Sequence, residues 1–573
     1  MSIATSFNPA TPAKPVARAS VVSHARLIGI LTLVSRILGL VREGVMSAQF
    51  GTGAISSAFA VAFKVPNLFR KLLGEGALSA AFIPLYAQAL KSGDEKEANR
   101  FAAASVSLLA TILLGLTVIG EICLWVIAAL IHLRPENLLV VKFTAVMLPY
   151  VLLVCGTAFL GGILQVHRRF ALPALSPVLL NIIHIAVIVI GARLLMLHAA
   201  GPARKLELQT TLAYWLAMFV LIAGVLQVMI LLPALKAVGF RLVWVKNFWT
   251  PQVKAMLRLS LPVALSAGVL QISVGIDTLL TMFLTRSSDP GQRLHFFGHV
   301  MDYPMAPGAI ARLTWAQLLY QFPLGVFAIA LATAIFPSLS ADALDKDQTR
   351  FKSALRHGII VTLIEAMAAS LGLLLVRYQT IRLLLQHGEF TAADTQWVAL
   401  STCFFSAAIW AFSLQQILNR AFYAMHDTVT PLVLSIVTIV VNTAVEIPLV
   451  FTHLGEAGMA AGTLVSFALQ AVIMLLVLDR RVGGIGLREM MRDVAKMLVA
   501  CCAMAATCWG LERAPGYPAS NIGQLVVLMV GGGGAYLGVC LLLGLNFRMK
   551  PVVPEREATA YGETEEPPPQ PCP

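Results

Sequence analysis

Fourteen apolar runs of membrane-spanning length follow one another along this chain, at about 26–49, 54–91, 100–132, 137–166, 171–199, 209–234, 250–286, 306–341, 350–375, 392–425, 428–451, 456–480, 490–512 and 519–545. Hydrocarbon offers no partner to a backbone N–H or C=O, so a run of ~20 apolar residues crosses a bilayer only as a helix that closes its own hydrogen bonds. The expected fold is an all-α polytopic membrane protein. Composition agrees: 58% of the 573 residues are hydrophobic and 12% charged, far from the balance of a soluble domain.

A net charge of +13 would point to nucleic acid in a soluble chain. Placed on the fourteen runs with the N-terminus inside, 26 of the 42 lysines and arginines fall on the inner side, ten on the outer side and six within runs. That bias follows the positive-inside rule, assigns both termini to the cytoplasm and removes the case for nucleic acid. The Ala/Pro/Ser-rich segment 1–25 has no separate apolar core or small-residue cleavage site and reads as a disordered cytoplasmic tail, as does the Pro/Glu-rich segment 546–573. HRRFALPALSP (167–177) and MHDTVTP (425–431) each place a short polar turn before a proline-led helix. The echo suggests an N-terminal lobe at 26–234, a C-terminal lobe at 250–480, and two extra helices at 490–545.

Enzyme chemistry finds no support. The sequence has no phosphate-binding loop, HExxH zinc motif or nucleophile elbow, and the Gly531–Gly534 run, with no Lys-Ser/Thr after it, reads as close helix packing. The eight cysteines lie mostly in apolar runs without ligand spacing, and no metal site is expected. His295 and His299, four apart, would chelate only on a helix and with further ligands that the sequence does not supply. His184, alone in an apolar run, reads as a satisfied core histidine.

The first two runs are apolar yet carry Arg36, Arg42, Lys64, Arg70 and Lys71. A cation at membrane depth costs ~2.5–3.5 kcal/mol on insertion scales, so these side chains must be shielded from lipid, lining a wet interior. At about 100° per residue Arg36 and Glu43 share a helix face, Arg42 stands about 120° away, and Lys64 shares a face with Lys71. Pro66 is expected to kink the second helix. An anion suits such a set, and an arginine fork matches phosphate oxygens. For Arg70 and Lys71, snorkelling at a helix end before Gly74 is an equal alternative. Farther on, Asp277 sits in ISVGIDTLL, and Asn442 and Glu446 are four apart on one helix face. With an oxygen from Thr463 these groups would suit Na+ or a proton, the alternative being interhelical hydrogen bonding. Glu121, Lys142 and Glu365 are lone intramembrane charges without an assigned role.

SRILGLVRE (35–43) and SAFAVAFKVPNLFRKLLGEGALSAAFIP (57–84) resemble the opening of the MurJ/MviN family of lipid II flippases, within the multidrug/oligosaccharidyl-lipid/polysaccharide exporter superfamily. GGILQVHRRFALPALSPVLLN (161–181), QFPLGVFAIALATAIFPSLS (321–340), HGEFTAADT (387–395), NRAFYAMHDTVTP (419–431) and GEAGMAAGTLVS (455–466) continue the likeness in order. The resemblance implies two lobes about a cationic cavity, a groove for the lipid tail in the last two helices, and movement of undecaprenyl-pyrophosphate-linked lipid II between leaflets of the bacterial inner membrane. It implies pyrophosphate binding by Arg36, Arg42 and Arg70, with Glu43 and Glu75 as gating or structural partners. Some relatives are thought to be ion-coupled, and cell-wall synthesis enzymes would be natural partners.

Two departures stand out. Ser57 replaces a usual acidic residue, and Leu318 replaces a usual arginine; Arg312, six residues earlier, differs in helical phase. The polar insert 287–308 is also unusual. Export of another polyprenyl-linked glycan or a drug, or a transport-inactive scaffold, are the competing functional expectations.

Overall fold

The computed structural model describes residues 18–74, 77–196, 201–287, 293–296, 298–343 and 348–545. Glu75 and most of both expected tails lie outside the described residues. By internal contacts the chain forms two compact units, Met1–Thr314 with Leu384–Thr395, and Trp315–Leu383 with Gln396–Pro573.

The first unit holds α1 (Arg18–Phe50), α2 (Ala54–Phe69), α3 (Ala77–Lys91), α4 (Glu95–Leu130), α5 (Pro135–Met147), α6 (Tyr150–Val166), α7 (Ala171–Met196), α8 (Pro202–Ala237) and α9 (Pro251–Leu284). A hairpin of β1 (Leu294–Phe296) and β2 (His299–Met301) follows, then the start of α10 (Ala309–Pro323). Helix starts are marked chemically. Asp94 accepts the Glu97 N–H at 2.9 Å to cap α4, and Thr250 accepts the Val253 N–H at 3.2 Å ahead of Pro251 to cap α9. Pro149, without an N–H, sits at the 45° bend between α5 and α6. Phe82 packs on Tyr86, Phe101 and Phe159, ring centroids 4.4–5.5 Å apart, at the centre of the α3–α4–α6 core.

The second unit holds the rest of α10, α11 (Ile329–Asp342), α12 (Thr349–Leu384) to Leu383, α13 (Ala392–Ala407) from Gln396, α14 (Ile409–Ala424), α15 (Val429–Val450), α16 (Ala457–Arg481), α17 (Leu487–Arg513) and α18 (Asn521–Leu542). The last two helices dock on α12: the Tyr536 hydroxyl donates to the Ile364 carbonyl at 2.9 Å, and Gly372 gives room to Met504. The expected close packing at the glycine run is seen at Gly531 and Gly532, where a Cβ would sit 2.4 Å from Leu511 and 2.5 Å from Cys508.

Every expected run contains helix. Among the described residues ten helices are long and apolar enough to cross a membrane, or eleven with α5 and α6 taken as one bent span, rather than fourteen. α1, α2 with α3, and α9 fall outside that number. These are the stretches that carry Arg36, Arg42, Lys64, Arg70 and Asp277.

The chain passes through Pro66 as helix and changes only after Phe69, into a π-helical turn at Arg70–Gly74; a second such turn, Leu324–Ala328, follows Pro323. The sequence echo has a backbone counterpart. Arg168 and His426 both take the left-handed conformation, φ 59°, and the next residues, Arg169 and Asp427, donate to the carbonyls of Leu164 and Phe422 at 2.8 and 2.9 Å. Both are Schellman closures made without glycine. The hairpin sets His295 opposite Val300 and His299 opposite Phe296, so the two histidines stand on opposite faces and cannot share a metal.

Candidate functional site

In the first unit one cation of α1, Arg42, meets a polar group of α7. Arg42 donates to Asn181 Oδ1 at 3.1 Å and to Glu43 Oε1 at 2.5 Å, and its guanidinium lies 5.6 Å from the centroid of the Phe63 ring. Asn181 in turn donates to the Ser35 carbonyl at 3.0 Å, fixing α7 against α1. Two nitrogens of the fork are thus held and the guanidinium plane is set. Arg36 is half-buried and has no hydrogen-bond or ion-pair partner among the described residues.

Arg70 stands in the π-helical turn. Gly74 closes that turn against α6, where a Cβ would lie 3.2 Å from Ala158 and 3.3 Å from Cys155, so a side chain there would push the turn and α6 apart by a few tenths of an ångström. The buried Tyr150 hydroxyl donates to Gln227 Oε1 at 3.3 Å. Gln227 is anchored on the Ser176 carbonyl at 2.7 Å. Asp277, on α9, and Lys64, on α2, belong to the same compact unit.

His184 corrects the satisfied-core reading. It is buried against Phe59 and Phe63, yet neither ring nitrogen has a hydrogen-bond partner among the described residues. Ser57 is also buried, with no hydrogen-bond partner for its hydroxyl among the described residues. Asn181, His184 and Tyr150 were not foreseen as site residues. For the first two a signal existed: polar side chains three apart in LLNIIHI occupy one helix face inside an apolar run.

At one end of this unit the turn between α1 and α2 meets the segment Leu384–Thr395. Thr52 donates to Asp394 Oδ1 at 2.6 Å, and Asp394 Oδ2 accepts from the Thr391 N–H and hydroxyl at 2.9 and 2.6 Å. Arg312 lies 3.8 Å from Asp394 and donates to the Pro307 carbonyl at 3.0 Å. Arg312 is therefore engaged here. Ser47 donates to the Leu385 carbonyl at 3.0 Å, the Glu389 N–H to the Ala48 carbonyl at 2.9 Å, and Lys205 pairs with Glu389.

In the second unit Asn442, Glu446 and Thr463 come together between α15 and α16. Asn442 Nδ2 donates to Glu446 Oε1 at 2.8 Å, Thr463 donates to the same oxygen at 3.2 Å, and Ser466 donates to Asn442 Oδ1 at 2.7 Å. Gly462 admits the Glu446 side chain, since a Cβ there would sit 2.4 Å from its Cγ. A carboxylate, an amide oxygen and two hydroxyls form a hard oxygen donor set. Asp277 belongs to the first unit.

Ten or eleven helices among the described residues, long and apolar enough to cross a membrane, with cations carried in the stretches that fall outside that number, define a polytopic membrane protein. A solved structure titled as the lipid II flippase MurJ in an inward closed conformation superposes with TM-score 0.69 at 21% identity, covering 90% of this chain and 98% of that one. An inward-facing multidrug resistance MATE transporter of the MOP superfamily superposes with TM-score 0.61 at 15% identity, covering 80% and 98%. The family described as Lipid II flippase MurJ matches residues 46–517, and this chain belongs to that family. A probable lipid II flippase MurJ from Rhizobium tropici is 31% identical over 85% of this chain and 86% of its own length. The lipid II flippase MurJ of Burkholderia cenocepacia is 30% identical over 78% and 82%.

Proposed function

We propose that this protein moves lipid II from the inner to the outer leaflet of the bacterial cytoplasmic membrane by alternating access, without making or breaking a covalent bond. Membership of the flippase family supports the substrate. The observation that carries the site is Arg42, held by Asn181 and Glu43, in the same compact unit as Arg70 on its glycine-backed π-turn. Arg36, Arg42 and Arg70 bind the pyrophosphate in this reading while the polyprenyl tail stays in lipid. Cation or proton binding at Asn442, Glu446 and Thr463 in the second unit resets the cycle, and Asp277 in the first unit is a separate candidate for the same role. Both termini face the cytoplasm, in keeping with the distribution of lysine and arginine, and cell-wall synthesis enzymes are the partners this role implies.

The test is complementation of a flippase-depleted bacterium with the wild-type chain and with Arg36→Ala, Arg42→Ala, Arg70→Ala and Leu318→Arg. Rescue by wild type that is lost in the alanine variants at equal membrane expression supports the reading. Failure of wild type with rescue by Leu318→Arg overturns it in favour of a transport-inactive scaffold.

A further inference from the structure

Between α8 and α9 the chain runs without helix through Arg241–Trp249, RLVWVKNFW, a strap tied down at three places. Phe240 is buried in the core, the Val245 N–H donates to Ser107 Oγ on α4 at 3.0 Å, and Phe248 packs on the same core. The outward side is neither core nor ordinary polar loop. Leu242, Val243, Trp244 and Trp249 are 51–58% exposed, next to α8, a membrane-crossing helix that ends at Ala237.

Large apolar side chains on a short loop that leaves a membrane-crossing helix lie at the boundary of water and lipid, where tryptophan partitions best. The charge around them is one-sided. Lys236, Arg241, Lys246, Lys254 and Arg258 are all exposed, and no carboxylate occurs between Lys236 and Arg258. A nearby carboxylate, Glu97 on α4, accepts a hydrogen bond from Gln252 at 2.8 Å.

We propose that this strap is a docking surface for anionic phospholipids. Trp244 and Trp249 sit among the headgroups and upper acyl chains, and Arg241, Lys246 and Lys254 take the lipid phosphates. The two requirements, depth and charge, are met by different residues and can be tested apart. The site is independent of which molecule the protein transports.

The full-length chain is reconstituted in phosphatidylcholine–phosphatidylglycerol vesicles in which either lipid is dibrominated, and tryptophan quenching is measured. Subtracting the signal of Trp244→Phe/Trp249→Phe isolates the strap from the other six of the eight tryptophans. The strap component should be quenched at least about twofold more by brominated phosphatidylglycerol than by brominated phosphatidylcholine, with the preference falling in high salt. It should vanish in Arg241→Gln/Lys246→Gln/Lys254→Gln, whose remaining tryptophan spectrum and melting temperature report an intact fold. Equal quenching by both lipids would reduce the strap to an apolar anchor, and absence of quenching would place it in water or under a protein partner; either result overturns the proposal.

Discussion

At the scale of single residues, Asn181 decides how Arg42 is presented. Asn181→Leu removes the acceptor of one guanidinium nitrogen and the donor to the Ser35 carbonyl, leaving both without their partner. A buried group stripped of its partner costs about 1–3 kcal/mol, so the variant should melt several degrees lower in detergent and bind lipid II more weakly. Arg42→Lys keeps the charge but cannot serve Asn181 and Glu43 as a fork, and its complementation should resemble Arg42→Ala more than wild type. Asp427 makes a pH-dependent contribution outside the membrane. Burial acts to raise its pKa, but hydrogen bonds from the side chain and backbone of Thr430, the Arg481 guanidinium and the Val429 N–H hold it below the ordinary aspartate value. A carboxyl depressed on folding adds stability above its unfolded pKa and loses it as pH falls through the lower folded value. The melting temperature of Asp427→Asn should therefore lie below wild type at neutral pH and converge with it under acid; a gap independent of pH would mean that only packing is lost. Charges inside apolar runs made Arg42 and Glu446 legible in the sequence, because each is costly wherever it falls. Asn181 carried the same signal at lower strength, and the orphaned ring of His184 depends on neighbours that spacing alone does not name.

At the scale of elements, the contact between the α1–α2 turn and Leu384–Thr395 is built on backbone approach rather than side-chain bulk. Gly388 takes φ 56° and a Cβ there would sit 2.2 Å from the Ala48 carbonyl oxygen; Gly308 takes φ 88° and would place one 1.9 Å from the Thr52 carbonyl oxygen. Backbone cannot retreat as a flexible side chain can, so alanine at either position must open the contact. Gly516 has φ 93° but open space around it. Gly516→Ala should cost only about 1 kcal/mol of backbone strain, whereas Gly388→Ala should cost several times that or lower the folded yield, read by thermal melts and membrane expression. Equal effects would show that φ alone is responsible. Conversely, Arg168→Gly and His426→Gly relieve left-handed strain at the two matching turns and should each stabilise by up to about 1 kcal/mol. The hydrophobic period exposed the helices because the bilayer dictates their length. The π-turn at Arg70–Gly74 escaped notice because Pro66 pointed to a kink, while the change of hydrogen-bond register comes later, where Gly74 permits contact with α6.

At the scale of the whole molecule, the two polar centres belong to different compact units: Arg42, Arg70, Lys64 and Asp277 to the first, and Asn442, Glu446, Thr463 and Ser466 to the second. Ligands bound in separate units influence one another only through a conformational change that both bias, and the coupling must then be reciprocal. In the proposed cycle Na+ should raise the melting temperature of the wild-type chain, and Glu446→Gln should abolish that rise and leave lipid II affinity measured without Na+ unchanged. Arg70→Ala should lower that affinity by about tenfold or more, the worth of a charge-assisted hydrogen bond, and leave the Na+ response intact. In the wild-type chain, saturating Na+ should change lipid II affinity by a factor on the order of 5–150, and lipid II should change Na+ affinity by the same factor. Both factors are obtained by titrating each ligand in the presence and absence of the other. If each equals one, the α15–α16 cluster is a structural hydrogen-bond network and the cycle is reset by another force. If both depart from one by the same amount, and Glu446→Gln returns them to one, the second unit acts on the anion site by shifting the population of the state that binds it.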